Sequence, residues 1–218
     1  PSPCNDAPET MTDEFRIRSF APDDIDALYA ICLATGNDGD DARQMYADPR
    51  LVGEVYAGPY AVLEPASCFV TEDAQGVCGY VVGTADSRSF ADHCERDWYP
   101  ALRRRHPLPA VDDTSPDARM LRAIHRGYRP DPDVAPFPAH LHIDLLPHAR
   151  GRGLGTALLQ RFVDCIRARG ATGVHLQTGL HSRHAQRFYE RNGFAVLKRD
   201  VRAVTYVMRL APKPAAGT

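Results

Sequence analysis

The sequence predicts an α/β (α+β) domain, a sheet flanked by helices, and three stretches carry that prediction. In the first, Leu141, Ile143 and Leu145 alternate with His140, His142 and Asp144 as a strand would; glycines follow, and Leu154, Leu158, Phe162 and Ile166 then recur at helical spacing. The second is a pair of apolar runs, Ser67–Thr71 and Val77–Gly83, joined by the polar turn 72–76, the pattern of a hairpin. The third is an opening strand, Phe15–Ser19, after which Pro22, Asp23 and Asp24 start a helix carrying Ile25, Leu28, Tyr29, Ile31 and Cys32. With 218 residues, 44% of them hydrophobic, the chain suits one domain, placed at 13–211. Residues 1–12 and 212–218 have little to bury and read as disordered tails.

The remaining elements follow in order. Gly36–Asp40 is a turn cluster, 41–47 is expected to form a short second helix, and 48–65, interrupted by glycine and proline, an irregular segment. The stretch 86–138 is too long for an ordinary connection. It holds the one tryptophan, Trp98, beside Tyr99 and the basic run Arg103–His106, and short helices are expected near 92–105 and 117–125. It is expected to act as a lid or substrate wall. Val174–Thr178 reads as a strand, and Ser182–Gly193 as a helix that turns Ala185, Phe188 and Tyr189 inward and closes at Asn192-Gly193. Phe194–Leu197 and Ala203–Leu210 are the last strands, around the turn 198–202.

Composition removes several classes of function. A net charge of −2 does not suit general nucleic-acid binding. Cys4, Cys32, Cys68, Cys78, Cys94 and Cys165 include no Cys-x-x-Cys pair and are read as buried thiols of a reducing cytoplasm; His181 and His184 lack a third ligand, so no metal is expected. No apolar run approaches the roughly 18 residues of a membrane span, and the first residues lack a signal-peptide core. The expectation is therefore a cytoplasmic monomer or homodimer without nucleic-acid or membrane partners.

The chemistry centres on Arg150-x-x-Gly153-x-Gly155. Gly151, Gly153 and Gly155 clear side chains from a turn that opens on the unpaired N–H groups of a helix, a setting for an anionic phosphate. It lacks the Gly-Lys-Ser/Thr ending of a nucleotide triphosphatase loop and is one residue short of the dinucleotide turn. Asp144 lies mid-strand, where a carboxylate is costly unless paired or facing a cleft, and partial desolvation would raise its pKa toward that of a general base. His142 shares its face and could share a proton path or contact the acceptor, but for both His142 and His140 a solvated or structurally hydrogen-bonded imidazole is the favoured reading.

The loop, together with Ala185-x-x-Phe188-Tyr189-x-x-Asn192-Gly193-Phe194, resembles the two signatures of the GNAT superfamily of acyl-CoA-dependent N-acetyltransferases. The resemblance implies a mixed, mostly antiparallel central sheet of six to seven strands flanked by helices, with the long insertion placed before the central strand. It implies acetyl-CoA as cosubstrate, its pyrophosphate on Arg150, Gly151, Arg152, Gly153, Leu154, Gly155 and Thr156, and its pantetheine along the backbone of Leu145 and Leu146. Tyr189 matches the family's tyrosine beside the thioester sulfur. Ser182 stands where many members have asparagine, a departure at the pantetheine contact. A second resemblance covers Asp41–Asp86, Trp98-Tyr99-Pro100 and Phe137–Asp144, which are similar to the acetyltransferase-like C-terminal domain of eukaryotic O-GlcNAcases. The glycine loop, which that domain lacks, is complete here, and the chain is expected to stand alone without a glycosidase. The expected function is direct acetyl transfer from acetyl-CoA to an unknown amine, with Asp144 and His142 on the acceptor side and Tyr189 at the sulfur. The rival is an acetyl-CoA-binding regulatory module without transferase activity.

Overall fold

The computed structural model describes residues 10–11 and 14–211. The sheet uses β1 (Thr10–Met11), β2 (Arg16–Ser19), β3 (Phe69–Asp73), β4 (Gly76–Thr84), β5 (Ala139–Leu145), β6 (Gly173–Gly179), β7 (Ala195–Arg199) and β8 (Ala203–Arg209), in the order β1-β2-β3-β4-β5-β6-β8-β7. Every pairing is antiparallel except β5 with β6, and apart from two-residue β1 the seven strands are those the sequence pattern gives. Thr10–Met11 pairs with Arg16–Ile17 inside the stretch read as a tail. The rest of both expected tails lies outside the described residues.

Helix α7 (Leu154–Ala168) buries Leu154, Leu158, Phe162 and Ile166 on one side of the sheet, in a cluster with Leu141, Val174 and Tyr189, the last from α8 (Arg183–Arg191). The other side is covered by α1 (Ile25–Ala34), α2 (Leu51–Tyr56), α3 (Gly58–Leu63), α4 (Ser87–His93), α5 (Tyr99–Arg105) and α6 (Pro116–Arg126), packed on Tyr80 and Val82 of β4. A period-two strand divides its side chains between these two cores. Leu146, just past β5, packs against both.

Three expectations need correction. Residues 41–47 form no helix; the helices come later, as α2 and α3, inside the stretch expected to be irregular. Gly53 and Gly58 are contact glycines: a Cβ on Gly53 would lie 2.6 Å from the Tyr29 ring, and one on Gly58 2.3 Å from the Tyr29 hydroxyl. Pro59 fits the first turn of α3, where its missing N–H is unneeded. In the insertion, Asp86 caps α4 by accepting from the Ser89 N–H at 2.8 Å, so its helical part starts at Ser87 and continues through a π turn at Cys94–Trp98. Finally, Cys32, Cys68, Cys78 and Cys94 are buried free thiols, but Cys165 is disulfide-bonded. Among the described residues no helix is long and apolar enough to cross a membrane.

Candidate active site

The site forms where β5 and β6 part. They pair only at Ala139–Val174 and His140–His175; beyond those two residues they diverge, while β4 stays paired with β5 from Thr84–His140 to Gly79–Leu145. The Leu146 N–H donates to Cys78 O at 2.9 Å, facing β4, so by alternation the N–H and C=O of Leu145 face the opening. The Leu145 carbonyl there accepts the Arg150 Nε–H at 2.8 Å.

The glycine loop closes the wide end of this opening. Gly151 and Gly153 take φ of 73° and 80°, a region L-residues seldom adopt, and a Cβ on either would meet no atom within 4 Å. Both are exposed, and Gly153 leads into α7, whose first intrahelical bond runs from the Ala157 N–H to Gly153 O at 3.0 Å. The N–H groups of Leu154, Gly155 and Thr156 precede that bond and have no partner in the helix. The backbone thus fits a phosphate cradle, with room in front of it. Gly155 is different: a Cβ there would approach Phe188 at 3.2 Å and Leu145 at 3.3 Å, so it permits close packing of α7 on α8 and β5.

The side chains expected around the phosphates are held by protein groups. Arg150 Nη2 donates to Gly39 O at 2.6 Å. Ser182, 5% exposed, donates through Oγ to Asp38 O at 3.3 Å. The turn Asn37–Asp40, in which Asp38 adopts a left-handed φ of 53°, therefore links the loop to the start of α8. Arg152 points elsewhere: it donates to His148 O at 3.1 Å, pairs with Glu14 at 2.5 Å and lies over the Phe15 ring.

On the α1–α6 side of β5 three titratable groups stand in a row. His140 is 3% exposed and engaged at both ring nitrogens, by Tyr60 Oη at 2.8 Å on Nε2 and Ser87 Oγ at 2.6 Å on Nδ1. Ser87 donates its proton to Pro138 O at 2.6 Å. It must therefore accept from Nδ1–H, so Nε2 accepts from Tyr60. Burial drives the His140 pKa well down, with His175 adding to the effect, and a neutral, fully bonded imidazole is structural.

His142 is half-buried, between the rings of Tyr56 at 5.5 Å and Tyr60 at 5.4 Å, without a hydrogen bond among the described residues. Burial, then His175, lowers its pKa to about 4, so it is neutral at pH 7. Asp144, also half-buried, accepts the Tyr80 hydroxyl on Oδ2 at 2.7 Å. Burial raises its pKa to about 6, and the Tyr80 and Thr35 hydroxyls and Arg150 offset only part of that rise. Tyr189 is 7% exposed, wedged against Phe188, Phe194 and Tyr206, and its hydroxyl has no hydrogen-bond partner among the described residues. Burial, then the Asp144 charge, pushes its pKa up, so the phenol keeps its proton near neutral pH.

His142, Asp144 and Leu145 thus lie along β5 beside the opening, with Arg150 bonded to Leu145 O there, whereas Tyr189 packs in the α7-side core and is linked to them only through the Asp144 charge acting on its hydroxyl. Trp98 and Tyr99 pack on the same side of the sheet as His142 and Asp144: the Trp98 Nε1–H donates to Glu54 O at 3.0 Å with its ring against Gly58, and Tyr99 is buried in the α1–α6 core. Sequence reading missed Tyr80, Tyr56 and Tyr60. Tyr80 was within reach, because pairing β4 antiparallel to β5 sets it opposite Asp144.

Residues 39–194 match the family model described as the acetyltransferase (GNAT) family. The chain is 25% identical over 190 residues to Protein O-GlcNAcase of Rattus norvegicus and, to the same extent, of Mus musculus. Each alignment covers 85% of this chain and 21% of the relative, so the chain spans about a fifth of the length of these curated relatives. The crystal structure of SsHAT superposes with a TM-score of 0.84 at 37% identity, covering 90% of this chain and 98% of that one. The fold is shared with yncA from Salmonella typhimurium, solved with its cofactor acetyl-CoA, at a TM-score of 0.55 and 15% identity over 93% and 98% of the two chains.

Proposed function

Since the chain belongs to the acetyltransferase (GNAT) family, we propose that it moves an acetyl group from acetyl-CoA directly to an amine acceptor. The observation that carries this reading is the opening between β5 and β6, which ends in the glycine loop and has the Asp144 carboxyl, its pKa raised to about 6, along its strand; Tyr189, held protonated on the α7 side, is near enough for the Asp144 charge to act on it. Acetyl-CoA supplies the activated acetyl group. Its pyrophosphate is assigned to the N–H groups of 151–156, where the two left-handed glycines leave the backbone bare, and its pantetheine to the edge of Leu145. Arg150 and Ser182 would reach it by exchanging their bonds to the 38–39 turn.

The acceptor must lose a proton before it can attack. Asp144, mostly ionised at pH 7 and bonded through Oδ2 to Tyr80, keeps Oδ1 to take that proton. Tyr189 returns one to the departing thiolate. His142, neutral at this pH, lines the acceptor side as a hydrogen-bonding group. The acceptor is a protein, peptide or small-molecule amine. The test is thioester cleavage over a panel of amines: amine-dependent release of CoA that Asp144→Asn abolishes is expected.

One observation favours a second reading. The turn Asn37–Asp40 occupies both Arg150 and Ser182, as in a chain that holds acetyl-CoA for regulation or holds it weakly. Saturable acetyl-CoA binding with no amine on the panel acetylated would select this reading.

A further inference from the structure

Apart from the cleft, the insertion lines two adjoining concavities, and one of them is strongly basic. The chain leaves α6 at Gly127, whose φ of 72° turns it tightly against the π turn; a Cβ there would lie 1.8 Å from Glu95 Oε1 and 3.2 Å from Arg103 Nη2. Arg103 grips Glu95 with both terminal nitrogens, at 2.8 and 2.9 Å, and its Nε–H donates to Ile124 O at 3.1 Å. This compensated pair lines a cavity of about 420 Å³, with Tyr128 and Pro130 as its less polar wall.

Arg88, Arg126 and Arg129, all exposed, stand at its rim; none is within ion-pair distance of a carboxylate among the described residues, though Arg129 is near enough to Glu95 to help lower its pKa. Outside the Glu95–Arg103 pair the lining holds one carboxylate, Asp92. Three guanidiniums against one carboxylate leave the cavity positive in a chain whose net charge is −2. Like charges gathered in a concavity repel, and an anion seated among them would relieve that.

We infer that this cavity binds a small phosphate monoester. Guanidinium forks match phosphate oxygens two at a time, which favours phosphate over a halide or an isolated carboxylate. The volume falls within the roughly 300–1,000 Å³ of small-ligand sites, larger than a bare phosphate needs, and Tyr128 offers a face to the organic part. The site is separate from the glycine loop: Tyr128 lies against His140, near the start of β5, whereas the loop follows its end. The inference does not depend on acetyl transfer.

The test is calorimetric titration of the full chain with ribose 5-phosphate, using ribose and inorganic phosphate as controls, without and with excess acetyl-CoA. Ribose 5-phosphate should bind more tightly than either control, with acetyl-CoA leaving it in place. Arg126→Gln and Arg129→Gln should each weaken it at least about tenfold, the loss of one charged bidentate contact. Arg88→Gln, an exposed change near the start of α4, repeats the test if either of those proteins fails to fold. No saturable binding, displacement by acetyl-CoA, inorganic phosphate binding as tightly as the ester, or unchanged affinity in the folded variants would each overturn it.

Discussion

The two sides of β5 are built differently. On the α7 side the opening is bounded by a continuous piece of chain, Leu145 to Thr156, whose left-handed glycines and helix start present backbone. On the α1–α6 side it is bounded by side chains from separate segments: Thr35 after α1, Tyr56 and Tyr60 on α2 and α3, Tyr80 on β4, and His142 and Asp144 on β5 itself. One side acts through conformation, the other through desolvation and hydrogen bonding. Variants in the glycine loop should therefore change cofactor affinity, and variants among the side chains of the second the proton chemistry.

The sharpest break is Gly153→Val. The φ of 80° is hostile to a β-branched residue, and the new methyl groups would project where a phosphate approaches. Acetyl-CoA binding should weaken by about 2–4 kcal/mol, the scale of one to two charge-assisted hydrogen bonds. Calorimetry that finds a folded Gly153→Val protein with unchanged affinity would place the cofactor elsewhere.

Asp144→Asn tests the opposite side. Turnover should fall by about a hundredfold or more while acetyl-CoA affinity holds, because a base acts on the acceptor and not on the cofactor. Stability should move the other way. A carboxyl raised to about 6 binds its proton more tightly in the fold than in the unfolded chain, so the wild type loses stability as pH rises through 6 and none of this loss is present below about pH 4. Asparagine removes the charge, so the variant should gain on the order of 2–3 kcal/mol relative to wild type between pH 4 and pH 8. Thermal unfolding at the two pH values measures that difference; an equal offset at both would mean Asp144 is not desolvated.

This contrast also explains what could be read in advance. The glycine loop and the Phe188-Tyr189 helix were legible because each is a local pattern, a turn feeding a helix or an apolar stripe closed by Asn192-Gly193. Asp144 stood out as a charge inside a strand. Its partner Tyr80 lies 64 residues away, and only strand register joins them. Gly53 and Gly58 misled in the other direction: read as breakers, they are places where Tyr29 and Trp98 press on helical backbone. The Asn37–Asp40 turn was legible as a turn, but its grip on Arg150 and Ser182 is a tertiary fact with no local signature.

Tyr189→Phe should have a smaller effect than Asp144→Asn. The ring keeps its packing against Phe194 and Tyr206, so stability should hardly change. A thiol titrating near 8.5 leaves as a fairly stable thiolate that water can reprotonate, so turnover should fall by about tenfold, most clearly on the alkaline side. A variant at full rate across the pH range would return Tyr189 to packing alone.

The smallest expected effect is at Tyr80, where a substitution moves a pKa without touching either reacting group. Tyr80 donates its hydroxyl to Asp144 Oδ2 at 2.7 Å, a bond available only to an acceptor and strongest when the carboxylate is charged. Tyr80→Phe keeps the buried ring and removes that bond, so the ionised form loses support and the Asp144 pKa should climb above its value of about 6. A hydrogen bond to a charged group contributes about 1.5 kcal/mol at the low end, which corresponds to roughly one pH unit. The acid limb of the rate profile should then shift upward by about one unit, with the plateau at high pH nearly unchanged because Asp144, once ionised, is still present. A uniform loss of rate at every pH would instead show that Tyr80 positions the carboxylate, and an unmoved profile would show that the acid limb belongs to another group, with His142 the next to replace.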